Sequence, residues 1–475
     1  MSGIQLGTAT GPAKLKAVTE LVNKLTEDLD KASLLPKDRD EALEELKIYG
    51  RDARNADPIF TKEADVCKGI SMLLRHGFQS SSSDTSRAAL RVLANSMLLK
   101  AETRRMLVDQ GFATQACDGL KTDNWDNEFL HSRVLLLSTY GTKEHLSNLI
   151  TEHHLAENIT ENLNRHAKLA ATKPQQPQPM EDMALSETLK LLFNVTHFCK
   201  KEASHFSTAV PHIVALFWKQ DIPSSKPLDS TFGPLVNGLI NLDISTATNQ
   251  AAIYPSSEPD KVAARLISLL DTAMATYNDN ELETTVTPLV TAMLKISEHA
   301  PSSVREYIGS KILPTAEDRK SVLGRGTTLS ARLLRNSTNA MTPALRDTIA
   351  HLLFEISDKD ASKFVENVGY GFASGFLFKN NVPVPATAST TFNADDSTGA
   401  QRMVNPITGQ FMDQEKVSEL PPMTEDEKLR EAERLFVLFE RLKKTGVIDV
   451  ENPVVQAMQE GRFRELDDDE VEELD

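Results

Sequence analysis

Residues Leu185–Lys200, LSETLKLLFNVTHFCK, set Leu185, Leu189, Leu192 and Val195 at steps of four, three and three positions, with polar residues between them. That is the spacing of one face of an α-helix, about 3.6 residues per turn. Arg87–Lys100 (RAALRVLANSMLLK) and Lys261–Tyr277 (KVAARLISLLDTAMATY) repeat the pattern, which recurs from about Ala13 to Lys379. Thr342-Pro343 joins an N-cap residue to a proline at the first helical position and predicts a helix to about Ser357. Alternating β-branched runs bounded by Asn-Gly or Asp-Gly, the mark of strands, are missing. Aromatics make up 6% and the apolar residues are mostly Leu, Ala, Val and Met, which favours helix over strand. A chain of 475 residues is too long for one core, whereas a repeat solenoid extends its core lengthwise. The expected fold is therefore all-α, an armadillo/HEAT-repeat superhelical solenoid with a C-terminal helical arm.

Breaker-rich stretches punctuate the helices at Ser80–Thr85, Lys173–Met180 (KPQQPQPM), Asp221–Ser230 and Tyr254–Asp260, and Val382–Arg402 is the longest of them. The expected division is a solenoid over 1–380, an extended linker over 381–422, and an amphipathic arm with an acidic tail over 423–475. In the arm, Thr424-Glu-Asp-Glu427 is a capping box, and Leu429, Ala432, Leu435, Phe436, Leu438, Phe439 and Leu442 form an apolar stripe. Lys443 and Lys444 suit the last turn and Gly446 ends it. The stripe buries either on the solenoid or on a partner, and both remain open. One regularity survives among the degenerate repeats: Asn95, Asn194, Asn237 and Asn241 each sit amid aliphatic residues. The step from Asn194 to Asn237 falls within the armadillo/HEAT period of roughly 40–47 residues.

The formal net charge is −16, with 18 acidic and 9 basic residues from Lys416 to Asp475. The closing run Glu465–Asp475 reads as a solvated tail. This acidity argues against nucleic acid as the main ligand. Cys67, Cys117 and Cys199 give neither a disulfide framework nor zinc spacing. With no basic and apolar leader at the start and no long apolar run, the chain reads as cytoplasmic, without a membrane span.

A side-chain amide donates and accepts at once, so the Asn series could grip a peptide backbone at successive repeats; the alternative is helix packing or capping. Lys47 and Arg51 stand four apart in Glu41–Arg54 (EALEELKIYGRDAR), which predicts one helix face able to receive a carboxylate, or else a solvated basic face with local Glu partners. His197, Cys199 and His205 are close in sequence, but positions two apart do not share a helix face, so packing is favoured over a metal site. Gly369-Tyr-Gly371-Phe-Ala-Ser-Gly375 matches no phosphate-loop spacing and reads as a tight turn between helices. Asn158, Asn194 and Asn336 open glycosylation sequons that a cytoplasmic chain would not use. No catalytic motif appears, so neither covalent chemistry, cofactor nor metal is expected.

Several segments together resemble the synembryn family, exchange factors and folding chaperones of heterotrimeric G-protein α subunits, and its fungal members in particular. They are Lys47–Phe60 (KIYGRDARNADPIF), Ala89–Leu99 (ALRVLANSMLL), Glu187–Thr196 (ETLKLLFNVT), Thr328–Arg335 (TLSARLLR), Phe364–Leu377 (FVENVGYGFASGFL), Val404–Gln410 (VNPITGQ) and Met423–Ile448 (MTEDEKLREAERLFVLFERLKKTGVI). The resemblance implies a concave groove that takes the C-terminal helix of Gα. Lys47 and Arg51 would meet acidic or carboxyl-terminal groups of that helix. Asn95, Phe193, Asn194, Asn237 and Asn241 would line the groove, and Leu435, Phe436 and Phe439 of the arm would contact the nucleotide-binding domain. Two departures stand out. Lys47 sits where animal relatives resemble an Arg, leaving a point charge in place of a fork. Val382–Arg402 lacks their acidic phosphoacceptor stretch: Thr390 and Thr391 have Asn393 and Ala394 at the third position on. The implied partner is GDP-bound or nucleotide-free Gα. The rival expectation is an armadillo adaptor that binds linear peptides and leaves nucleotide alone.

Overall fold

The periodic segments fold as helices whose ends follow local chemistry. In the computed structural model, which describes residues 7–60, 68–172, 178–396, 399–415 and scattered positions from 424 to 437, Ser82 Oγ accepts from Thr85 N and opens the Ser83–Leu99 helix. The polar Ser80–Thr85 stretch is thus a cap and a first turn. Pro179 starts the Pro179–Phe198 helix, and Pro343 starts Pro343–Glu355 with Thr342 at the N-cap. Asn278 and Glu281 form a reciprocal capping box on Asp279–His299.

Met1–Gln414 form one compact unit and Glu415–Asp475 a second. In the first, seven helices pack one on the next: Pro36–Tyr49, Ser83–Leu99, Trp125–Thr139, Pro179–Phe198, Phe232–Ile240, Asp279–His299 and Pro343–Glu355. A second row packs beside them, including Lys68–Gln79, Leu155–Thr172, Val210–Leu216, Lys261–Thr276 and Ser302–Ile312. Each repeat buries aliphatic residues between the rows, such as Leu73 and Leu93, Leu163 and Leu189, and Leu270 and Leu289. Each such side chain contributes about 1.5–3 kcal/mol. The fold is an all-α, armadillo-like solenoid.

The structure departs from the sequence expectation past Val382. Phe392–Asp395 pairs antiparallel with Gln401–Val404, Phe392 opposite Val404. The following turn then fastens onto the solenoid. Tyr370 N donates to Pro406 O (2.7 Å), Gly371 N to Ile407 O (3.0 Å), and Phe411 N to Arg319 O (2.8 Å). Buried Arg319 donates Nη1 to Gly409 O (2.9 Å) and Nη2 to Glu366 O (2.7 Å) and Asn367 O (3.1 Å). Gly409 has φ +67°, and a Cβ there would lie 2.3 Å from Leu323 Cδ1. The part of the expected linker up to Gln414 therefore belongs to the solenoid unit. Its strands are too short for periodicity, and what holds the segment is distant in sequence. The expected turn over Gly369–Gly375 shrinks to one residue: Gly369 (φ +81°) separates Ala361–Val368 from Tyr370–Lys379, Gly371 and Gly375 lie inside that second helix, and its first amides are occupied by carbonyls.

Candidate functional site

Gly50 decides where the first candidate cation pair lies. It caps the Pro36–Tyr49 helix, its amide donating to Leu46 O at 2.8 Å. Lys47 is in the last helical turn, and Arg51 is in the turn that follows. The expectation of one shared helix face is corrected accordingly: the helix stops at Gly50 (φ −71°), a residue type that weakens helix interiors. Lys47 is 20% exposed and pairs with Glu44 one turn back. Arg51 is exposed and makes no ion pair or side-chain hydrogen bond among the described residues. It lines a cavity of about 450 Å³ with Lys14, Ile48 and Arg54.

The four asparagines divide into two kinds. Asn194 is 9% exposed and donates Nδ2 to Thr139 Oγ1 at 2.9 Å, on the preceding helix of the row. Asn241 donates to Phe193 O (3.4 Å) and Thr196 Oγ1 (3.3 Å) in the same sense. Lys295 continues the series, its ammonium reaching Ile240 O (3.0 Å) and Leu242 O. Each thus reaches the C-terminal part of the helix before it, Asn194 and Asn241 through threonine hydroxyls and Phe193 O, and Lys295 through end carbonyls that lack intrahelical donors. Burial lowers the Lys295 pKa. Sequence reasoning missed Lys295 because its partners lie more than fifty positions away. Asn95 and Asn237, by contrast, are half-buried with no side-chain partner among the described residues. Phe193 is half-buried and stacks on exposed His197 at 5.9 Å.

Arginines link the same helices. Arg91 meets Asp126 at 2.8 Å, Arg87 Nε donates to Asn127 Oδ1 at 2.7 Å, and Arg133 meets Glu187 at 3.2 Å. Beneath them lies a fully buried centre. Glu128 Oε1 accepts from His166 Nε2 (3.0 Å) and Thr188 Oγ1 (2.7 Å), and Oε2 from Arg165. His166 Nδ1 lies 3.4 Å from Glu181 Oε1, which also takes Lys219 Nζ at 2.6 Å. A ring with carboxylates on both nitrogens donates from both and carries a charge. Burial opposes that charge, but the hydrogen bonds to Glu128 and Glu181 outweigh it and raise the His166 pKa. Burial likewise opposes the Glu128 charge, and His166, Thr188 and Arg165 overcome it, lowering that pKa. This centre ties two row helices to Leu155–Thr172 and is structural.

In the second unit, the chain is helical at Lys428, Arg430, Glu431 and Phe436, and Phe436 is 38% exposed. Leu435 and Phe439 lie outside the described residues, as does Glu427 of the expected capping box. Among the described residues, no group of three His, Cys, Asp or Glu is placed to hold a metal ion. His197 and His205 are exposed and Cys199 half-buried. Among the same residues, no helix is long and apolar enough to cross a membrane.

A family model described as the guanine nucleotide exchange factor synembryn matches residues 42–462, most of the chain and every candidate residue above. The chain belongs to the synembryn family. A synembryn-like chaperone of Schizosaccharomyces pombe is 26% identical over 61% of this chain and 57% of its own length. Chaperone Ric-8A of Xenopus tropicalis is 26% identical over 61% of this chain and 55% of its own length. The match therefore spans little more than half of these two synembryn relatives. Chaperone Ric-8A of Macaca fascicularis is 24% identical over 91% of this chain and 85% of its own. Among solved structures, an engineered protein overlaps 80% of this chain and 79% of its own at 16% identity and TM-score 0.46. A designed armadillo repeat protein overlaps 57% of this chain and 99% of its own at 12% identity and TM-score 0.38. The Gly11–Lys31 helix lies ahead of the synembryn match.

Proposed function

We propose that this synembryn is an exchange factor and folding chaperone for a heterotrimeric G-protein α subunit, and that it acts by binding alone. The helix row takes the C-terminal helix of Gα. The observation that carries this reading is the family match over 42–462, together with Asn95 and Asn237 on the row and Arg51 in the turn beside it, whose side chains have no polar partner among the described residues. Asn95 and Asn237 would bond the bound helix, and Phe193 would supply an apolar contact. Asn194 and Asn241, already bonded within the chain, would set the spacing of the row. Arg51 would receive the terminal carboxylate, with Lys47 as a weaker contributor because Glu44 already shares its charge. Leu435, Phe436 and Phe439 of the arm would meet the nucleotide-binding domain.

Mechanistically, holding the terminal helix withdraws it from the nucleotide-bearing domain. GDP leaves, and GTP binding later ejects the factor. Moving an equilibrium from 1:99 to 99:1 takes roughly 5.5 kcal/mol of differential binding, which two linked contacts can supply. No acid, base or metal enters the scheme. The test is GDP release from purified Gα, followed together with complex formation by gel filtration. Faster release and a nucleotide-free complex that GTP dissolves support the proposal. A complex with unchanged release supports the peptide-binding adaptor instead.

A further inference from the structure

Arg51 is offered on a turn, not on a helix, so something must hold that turn. Its own backbone bonds are few: Arg51 N reaches Ile48 O at 3.4 Å and Ala56 N reaches Ala53 O at 3.2 Å. Asn55 takes the left-handed conformation at φ +55°. The Asp52 carboxylate accepts from Arg54 N at 3.0 Å and from Arg54 Nε at 3.0 and 3.2 Å, which closes the turn locally but ties it neither to Arg51 nor to another element.

The missing restraint comes from the Gly11–Lys31 helix. Lys14 is only 8% exposed, and its ammonium donates to Asp52 O and Arg54 O, both at 2.8 Å. These carbonyls lie immediately after Arg51 and two residues further on. Among the described residues, no carboxylate lies within ion-pair distance of Lys14. A cation taken out of water is here spent on two backbone carbonyls. Neighbouring contacts press the same segment onto the same place. Ala9 N donates to Tyr49 Oη at 3.4 Å, and a Cβ on Gly7 (φ +74°) would lie 2.4 Å from Ile48 Cγ2. Gly7, Ala9, Thr10 and Lys14 form one wall of the cavity of about 450 Å³ whose other wall carries Arg51 and Arg54.

We propose that Lys14 is a positioning residue: it fixes the 51–54 turn so that Arg51 faces the cavity, and the segment from Gly7 to Lys14 closes that end of the helix row. The row then accepts the end of a chain, a peptide finishing in a free carboxylate, in preference to an internal stretch. A turn fixed before binding has less entropy to lose when the carboxylate arrives. This rests on the reading that Arg51 receives the terminal carboxylate of a Gα helix, and it adds a residue that lies ahead of the family match.

The test uses the full chain and a synthetic peptide of the C-terminal helix of Gα, made once as the free acid and once as the C-terminal amide. Affinities of wild type, Lys14→Met, Lys14→Arg and Arg51→Gln are measured by fluorescence anisotropy, together with amide exchange over 51–56. Lys14→Met is expected to weaken the free-acid peptide roughly tenfold, the scale of the charge-assisted hydrogen bond from Arg51 that a loosened turn no longer presents. It should leave the amide peptide unchanged and speed exchange in the turn, while Lys14→Arg, which keeps the donors, restores acid binding. Equal weakening of both peptides would make Lys14 a structural anchor only, and unchanged acid binding would remove it from the site; either overturns the inference. Should Lys14→Met not fold, Lys14→Gln carries the same comparison. If Arg51→Gln binds the acid peptide as wild type does, the failure lies in the carboxylate reading itself, a result distinct from a Lys14 failure with Arg51 still required.

Discussion

Replacing Glu128 by Gln should unsettle the middle of the solenoid. Glu128 is 0% exposed and its two oxygens accept from His166, Thr188 and Arg165. Gln keeps the shape, but one oxygen becomes a donor that must face Arg165 or the His166–Thr188 pair. It also strips His166 and Arg165 of a buried countercharge. Losing one member of a buried charged pair costs about 3–5 kcal/mol, and that cost falls where Trp125–Thr139, Leu155–Thr172 and Pro179–Phe198 meet. Urea unfolding by circular dichroism measures the total. Trp125 reports the locus, since its ring lies 4.6 Å from that of His166 and 4.0 Å from the Arg165 guanidinium carbon. A Trp218→Phe background leaves Trp125 as the sole indole. The expected result is a lower midpoint with Trp125 fluorescence changing early. A loss below about 1 kcal/mol, within the range of ordinary surface pairs, would refute a charged, paired Glu128.

Three further outcomes follow from other residues. Stability should decline on both sides of about pH 6.5, the unfolded histidine value. The stabilisation from charged His166 is full below that value and lost as pH rises through its raised folded pKa. Burial pushes His131 down to about 4, so its contribution is lost as pH falls from about 6.5 toward that value; pH-dependent urea midpoints should show Glu128→Gln flattening the alkaline limb and His131→Leu the acid limb, and unchanged limbs would contradict the assignment. Gly69→Ala places a Cβ 2.5 Å from Pro58 O and 2.6 Å from Ile59 Cα, backbone atoms that do not yield, so thermal unfolding should show a loss of about 1–3 kcal/mol or more; a neutral result would contradict this packing of Lys68–Gln79 on Asp57–Phe60. Arg319→Leu leaves Gly409 O, Glu366 O and Asn367 O without their donor, so hydrogen exchange should show Tyr370 and Gly371 losing protection as the 404–411 turn loosens. Retained protection would mean that the turn does not depend on Arg319.

The helices were legible because their periodicity is local. Leu185, Leu189, Leu192 and Val195 mark a buried face without knowledge of what covers it. Gly50 carried a readable stop signal, and reading past it put Arg51 on a helix it does not occupy. The asparagines show the limit of spacing. An amide that staples one helix to the next, as in Asn194, and one without a partner among the described residues, as in Asn237, stand in similar aliphatic contexts; only the position of Thr139 tells them apart. Lys14 and Lys295 are ordinary lysines in the sequence, made distinctive by carbonyls about forty and more than fifty residues away. The hairpin at Phe392–Val404 was hidden for the same reason: its pairs are few, and Arg319 and Tyr370 hold its end in place.

The central proposal is that this chain empties the nucleotide site of a Gα subunit by binding it. The most direct measurement is the rate at which labelled GDP leaves purified Gα as this protein is titrated in. The account predicts a rate that rises and saturates with concentration, a nucleotide-free complex at saturation, and loss of the effect in Arg51→Glu. A GDP release rate that stays flat across a concentration range where the two proteins demonstrably associate would contradict it.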